Sequence, residues 1–229
     1  MADSATVLVF PIYLGVTHLD FTGPHQVLTR VPGLEAIVAS ARGGEIEADG
    51  LRFCGLPALK DIGACDILCI PGGMGSTAAM LDEDYLREIR RLGGSARYLT
   101  SVCTGSLILG AAGFLEGRRA ACHWAWRDLL PLFGAIPDPG RVVRDGRVIT
   151  GGGVTAGIDF ALALAAELAG DAVAQTIQLS LEYSPAPPFD AGRPETAPPE
   201  ILAQVLARME RLAPRRRAEA EAAARALAK

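Results

Sequence analysis

Short, nearly continuous apolar runs alternate along this chain with longer segments whose apolar positions recur at helical spacing. That is the pattern of strands buried on both faces, alternating with helices that cover them. Residues 5–10 read as a first strand, 20–31 as a helix with Gly23-Pro24 in its opening turn, and 34–39 as a second strand. Residues 45–53 are polar and turn-rich, and Asp49-Gly50 signals a hairpin. The next buried strand, 66–70, runs into Pro71-Gly72-Gly73, and an amphipathic helix follows at 82–92 with Gly93-Gly94 as its stop. A strand at 98–102 leads through Cys103 into a small-residue helix ending at Ala112. A short strand at 119–122, a helix at 124–130 stopped near Pro131, a hairpin over 142–149 turning at Asp145-Gly146, and an alanine-rich helix to Ala169 complete the series. This alternation predicts an α/β fold, a doubly wound and mostly parallel sheet sandwiched by helices. In such sheets a site forms beyond the carboxyl ends of the strands. The expected rim is therefore residues 11–20, 71–74, 103–104, His123 and 151–155.

The pattern changes after residue 183. Residues 184–199 contain six prolines, which exclude a regular helix or a central strand. Residues 201–212 are again apolar at helical spacing, Pro214 breaks them, and 215–229 form a charged, alanine-rich helix. Arg215-Arg216-Arg217, followed closely by Glu219 and Glu221, reads as a solvated helix face. The expected organisation is an α/β domain over 1–183 and a Pro-rich crossing with a C-terminal helical arm over 184–229, both in one structural unit. The crossing and the 201–212 segment leave apolar positions that one sandwich need not cover, which predicts a two-fold homodimer.

Composition narrows the function. Against 26 acidic residues the 229-residue chain carries 22 Lys and Arg, a net charge of −4, so no basic field exists to hold a nucleic-acid backbone. The N-terminus lacks a positively charged leader and no window approaches a membrane span, so no membrane partner and a cytoplasmic location are expected. Five cysteines make a poor disulfide framework, and Cys65 and Cys69 have no partner cluster for zinc. The Pro71-Gly72-Gly73-Met74-Gly75 turn lacks the Lys-Ser/Thr ending of a P-loop, and no Gly-x-Gly-x-x-Gly follows the first strand. No metal and no cofactor are expected.

The chemistry centres on Cys103. A residue placed where an apolar strand stops and a Gly-rich helix starts stands on a nucleophile elbow, in a strained turn with φ > 0. The helix start favours thiolate over thiol and turns backbone N–H groups toward whatever the sulfur attacks. Inert packing is the ordinary fate of a free cysteine and is the competing reading. Asp20 lies soon after the first strand between Leu19 and Phe21. Either it caps the helix, or it sits buried beside Cys103 with a raised pKa and carries a proton for it. Thr104 offers a hydroxyl to substrate or water but no general base. Gly72 and Gly73 present bare backbone N–H groups for an anion or oxyanion. His123 enters the rim or is merely structural, while His18 and His25 can both be surface residues.

Several of these segments carry a resemblance. Leu19-Asp-Phe-Thr-Gly-Pro24, Ile70-Pro-Gly-Gly-Met74, Val102-Cys-Thr-Gly-Ser106 and His123-Trp124 resemble the PfpI/ThiJ-like, class I glutamine-amidotransferase-like superfamily. Asp at 20 combined with Cys-Thr at 103–104, the 144–160 segment and residues 181–189 are most similar to the isocyanide hydratases within it. The resemblance covers nearly the whole chain. It implies a flavodoxin-like homodimer that adds water to an organic isocyanide through a covalent thioimidate on Cys103, with Asp20 as proton donor and the attacking water positioned by Thr104, Asp20 or backbone groups. Gly72, Gly73 and His123, together with Gly152 and Val154 from the 151–155 loop, are then backbone support or pocket wall. The Cys-Thr pair departs from the protease-like members. Two alternatives share these motifs: a ligand-sensing domain of the AraC-regulator type without its DNA-binding module, and a redox-sensing stress protein.

Overall fold

Six strands form the central sheet of the computed structural model, which describes residues 5–228. In chain order the strands are β1 (Thr6–Ile12), β2 (Leu34–Ser40), β3 (Gly44–Ala48), β4 (Leu51–Leu56), β5 (Ile67–Ile70), β6 (Tyr98–Val102), β7 (Arg119–Ala120), β8 (Ile136–Pro137), β9 (Val142–Asp145) and β10 (Val148–Gly151). The helices are α1 (Leu19–Leu28), α2 (Ser76–Ala79), α3 (Glu83–Ser95), α4 (Gly105–Ala111), α5 (Ala156–Ala169), α6 (Asp171–Ser180), α7 (Pro199–Glu210) and α8 (Ala213–Leu227). The sheet order is β2-β1-β5-β6-β10-β9, parallel except for β9, which runs antiparallel to β10. The expected doubly wound α/β architecture is therefore present. Every residue of β5, β6 and β10 is buried, which is why these strands read as unbroken apolar or small-residue runs.

Helices cover both faces. On one, α1 packs on α5, and α5 on α6; on the other, α2, α3, α4 and α8 gather with a 3₁₀ helix over Trp124–Phe133. The chain moves outward from β1 to β2 and then returns past β1 to β5, so the winding reverses between β1 and β5. The carboxyl ends of β1, β5, β6 and β10 converge beside that reversal, where such sheets place their sites. The Asp49-Gly50 hairpin forms as read, with both residues at positive φ between β3 and β4.

Three local expectations are corrected. Gly93-Gly94 does not stop α3, which continues to Ser95. A Cβ on Gly93 would stand 2.5 Å from the Phe114 ring, so this glycine makes room for a neighbour rather than ending a helix. The strand expected over 119–122 shrinks to Arg119–Ala120, paired with β8 outside the main sheet. The segment after it is a 3₁₀ helix carrying Pro131 inside it and ending at Gly134 in the left-handed conformation. Among the described residues no helix is long and apolar enough to cross a membrane.

Candidate active site

Cys103 follows β6 with φ 59, the positive value expected of an elbow and a strained one for a residue with a side chain. Its backbone N–H donates to the carbonyl oxygens of Gly151 (3.1 Å) and Gly152 (2.7 Å), pinning the elbow to the end of β10. The residue is 5 % exposed. Backbone N–H groups of Val154 and Thr104 turn toward its sulfur and favour the thiolate, yet burial outweighs them. Burial first, and then the nearby Asp20 charge, push the thiol well above its ordinary range. This corrects the expectation of a resting thiolate. The α4 helix that starts behind the elbow is only seven residues long.

Asp20 lies in the first turn of α1 and is wholly buried. It does not cap that helix; His18 occupies the cap position without a side-chain bond. Instead Asp20 Oδ2 accepts from the Gly72 N–H across the site (2.9 Å), while Oδ1 has no hydrogen-bond partner. Burial pushes its carboxyl up to about 7, against the opposing pull of the Gly72 N–H and the Cys103 thiol. The two side chains sense each other, and the pair titrates as a unit.

Thr104, 2 % exposed, accepts the Gly73 N–H on Oγ1 (3.0 Å) and donates back to the Gly73 carbonyl (3.2 Å). The Gly72 and Gly73 N–H groups are thus already engaged by Asp20 and Thr104. They are braces rather than an open anion hole, a second correction to the sequence reading. A Cβ on Gly72 would lie 2.5 Å from the Thr104 nitrogen and 2.9 Å from Asp20 Oδ2, so only glycine lets these three groups meet.

All five expected rim segments converge. The Thr17 N–H donates to the Gly72 carbonyl (3.0 Å), joining 11–20 to 71–74, and the elbow bonds join 103–104 to 151–155. His123 abuts Gly153, where a Cβ would stand 3.0 Å from the imidazole Cδ2. The His123 Nδ1 accepts from the Ala125 N–H (3.2 Å), and burial, then the Arg216 charge, lowers the imidazole pKa. His123 caps the 3₁₀ helix and stacks on Trp124. A groove of about 690 Å³ runs from Cys122, His123, Gly152 and Val154 to residues 192–196 of the Pro-rich crossing. His18 makes local α1 bonds, and His25 is half-buried against Phe10.

Two residues here escaped the sequence reading. Tyr13, buried directly after β1, donates its hydroxyl to the Pro71 carbonyl (2.8 Å). Arg216 is wholly buried, which overturns the solvated-face reading for the middle of the Arg215–Arg217 triplet. Helical geometry gives the reason: successive residues turn by about 100°, so the central residue of a triplet can face inward while its neighbours splay outward. The exposed Arg215 meets the half-buried Glu219, and Arg217 pairs with Asp128.

A parallel α/β sandwich with a cysteine on a strand-to-helix elbow and a buried acid at the sheet's winding reversal defines a cysteine-centred class of α/β proteins. Within that class the chain belongs to the DJ-1/PfpI family, whose sequence model matches residues 5–167. It is 48% identical over 230 aligned residues to an isonitrile hydratase of Pseudomonas putida, spanning 100% of this chain and 98% of the relative. A crystal structure of a ThiJ/PfpI family protein from Pseudomonas syringae superposes with a TM-score of 0.89 at 38% identity, covering 96% of this chain and 90% of that one. The transcriptional regulator CdhR of Pseudomonas aeruginosa is 31% identical over 151 residues, 64% of this chain and 44% of the regulator.

Proposed function

We propose that this chain is an isocyanide hydratase, adding water to R–N≡C to give the N-substituted formamide R–NH–CHO. The observation that carries the reading is the juxtaposition of an elbow thiol at φ 59 with a wholly buried carboxyl that has a free oxygen and a pKa near neutrality. The full-length likeness to the Pseudomonas putida isonitrile hydratase supports the same substrate.

The Asp20 carboxylate accepts the thiol proton as Cys103 sulfur bonds to the terminal isocyanide carbon, and Asp20 then returns that proton to the same carbon. The product is a thioimidate, R–N=CH–S–Cys103. A carboxyl near 7 suits both transfers, because neither protonation state is far out of reach at neutral pH. Water next attacks the thioimidate carbon; Asp20 takes one water proton and passes it to nitrogen. The C–S bond of the tetrahedral adduct then breaks, and its hydroxyl proton returns to sulfur as the formamide leaves. Thr104, Gly72 and Gly73 hold Asp20 and the turn in register, while His123, Gly152 and Val154 line the groove beside the elbow.

The reading includes a two-fold homodimer. No residue of α7 is buried within the chain, and Ile201 and Leu206 on it are exposed, as are Leu179 and Phe189 nearby in sequence. We also take 1–183 and 184–229 as one structural unit working in the cytoplasm, whose reducing conditions keep Cys103 a thiol. Incubation with a simple aryl or alkyl isocyanide should yield the formamide by mass, with a transient adduct on Cys103. Tight ligand binding without turnover would favour the sensing role of the regulator-like relatives instead.

A further inference from the structure

The guanidinium of Arg216, on α8, has no counter-ion of its own. Nη1 donates to the Met74 carbonyl (2.8 Å), Nη2 donates to Ser76 Oγ (2.9 Å), and the group lies 4.5 Å from the centroid of the Trp126 ring. Nε–H is buried without a partner. Among the described residues no carboxylate lies within ion-pairing distance of it; Glu219, one turn on, meets Arg215 through Oε1 (3.5 Å), and its buried, unpartnered Oε2 acts on Arg216 only from beyond that distance. Arginine does not shed its proton in a protein, and a buried unpaired cation is strongly disfavoured. Such a group persists where nearby negative charge or well-placed dipoles offset it.

Its two acceptors place it on the site. Met74 and Ser76 end the turn that begins at Pro71, and the same turn supplies the Gly72 N–H to Asp20 and the Gly73 N–H to Thr104. Tyr13 holds the turn's other end at the Pro71 carbonyl. We propose that Arg216 is a positioning residue of the reaction centre: it clamps the 71–76 turn that holds Asp20 and Thr104, and its fixed charge offsets the negative charge the Asp20–Cys103 pair carries during turnover. The titratable and charged groups around it are Tyr13, Cys103, Cys122, His123 and Glu219. Of these, Cys103 together with Asp20 is the pair whose charge changes in the proposed reaction. Arg216 lies beyond the family match at residue 167, so the C-terminal arm brings its own part to the centre.

The turnover part of this inference rests on the isocyanide reading; the effect on the thiol does not. The test is the pH profile of Cys103 alkylation by iodoacetamide, beside formamide kinetics, in Arg216→Met, Arg216→Gln and Arg216→Lys. Met keeps stacking bulk without charge, Gln keeps an amide donor without charge, and Lys keeps the charge. Expected are alkylation about tenfold slower near pH 7 in the Met and Gln variants, with Lys close to the parent, and kcat falling with little change in KM. If Met does not fold, Gln carries the comparison. Neutral variants whose alkylation profile superimposes on the parent's overturn the proposal, even if their Tm drops. Should the parent form no formamide while the neutral variants still slow alkylation, the isocyanide reading falls and the role of Arg216 stands.

Discussion

The carboxyl of Asp20 loses its water on folding and recovers one hydrogen bond, from Gly72. Its folded pKa therefore exceeds its unfolded one, and between those values the native state binds more protons than the unfolded chain. The contribution of Asp20 to stability thus falls as pH rises toward about 7. Asp20→Asn removes that titration while keeping a carbonyl oxygen for the Gly72 N–H. Relative to the parent it should be more stable by up to about 4 kcal/mol near pH 8, with the advantage shrinking toward about pH 4. Urea unfolding at both ends of that range checks this, and a pH-independent difference sinks it. The same variant should leave Cys103 alkylatable but turn over little, with a loss of about 10²- to 10⁴-fold. Cys103→Ala should abolish formamide formation and leave the fold intact; hydration at the parental rate would reject the covalent route.

At the scale of elements, α3 offers a paired experiment. Alanine is better than glycine inside a helix by about 1 kcal/mol. Gly94 is exposed with nothing within 4 Å of a built Cβ, so Gly94→Ala should raise Tm. Gly93 faces the Phe114 ring at 2.5 Å and Leu99 at 3.1 Å, so Gly93→Ala should lower it, because overpacking costs about 1–3 kcal/mol. Calorimetry on the two variants separates propensity from packing, and a Gly93→Ala protein as stable as Gly94→Ala would contradict this account. The same distinction explains the misread helix stop: a Gly pair after an amphipathic run looks like a terminator, and nothing local tells that one of the pair accommodates a ring 21 residues away.

For the whole molecule, α7 is the informative piece. A helix with apolar residues and no buried one is stable when something covers it, and a second copy of the chain is our proposed cover. Sedimentation at micromolar concentration should give twice the 24.0 kDa of one chain. Leu206→Glu, which places a charge on that face, should shift the molecule toward the monomer while Tm within the sandwich changes little. A 24.0 kDa parent rejects the dimer.

Local pattern by itself determined the alternation of strands and helices, the parallel sheet, the hairpin at Asp49-Gly50 and the elbow at Cys103. Each depends on periodicity or on turn residues that act over a few positions. The meeting of Asp20, Gly72 and Cys103 was also within reach, since strand ends in such a sheet share one edge. Tertiary structure alone decided the protonation of the site and the place of Arg216. Whether Cys103 rests as thiol or thiolate is a contest between backbone N–H groups and lost solvent, and only the packed structure sets the second term. Which arginine of a charged triplet turns inward depends on where α8 docks, 140 residues along the chain from the Ser76 it grips, and no local pattern encodes that distance.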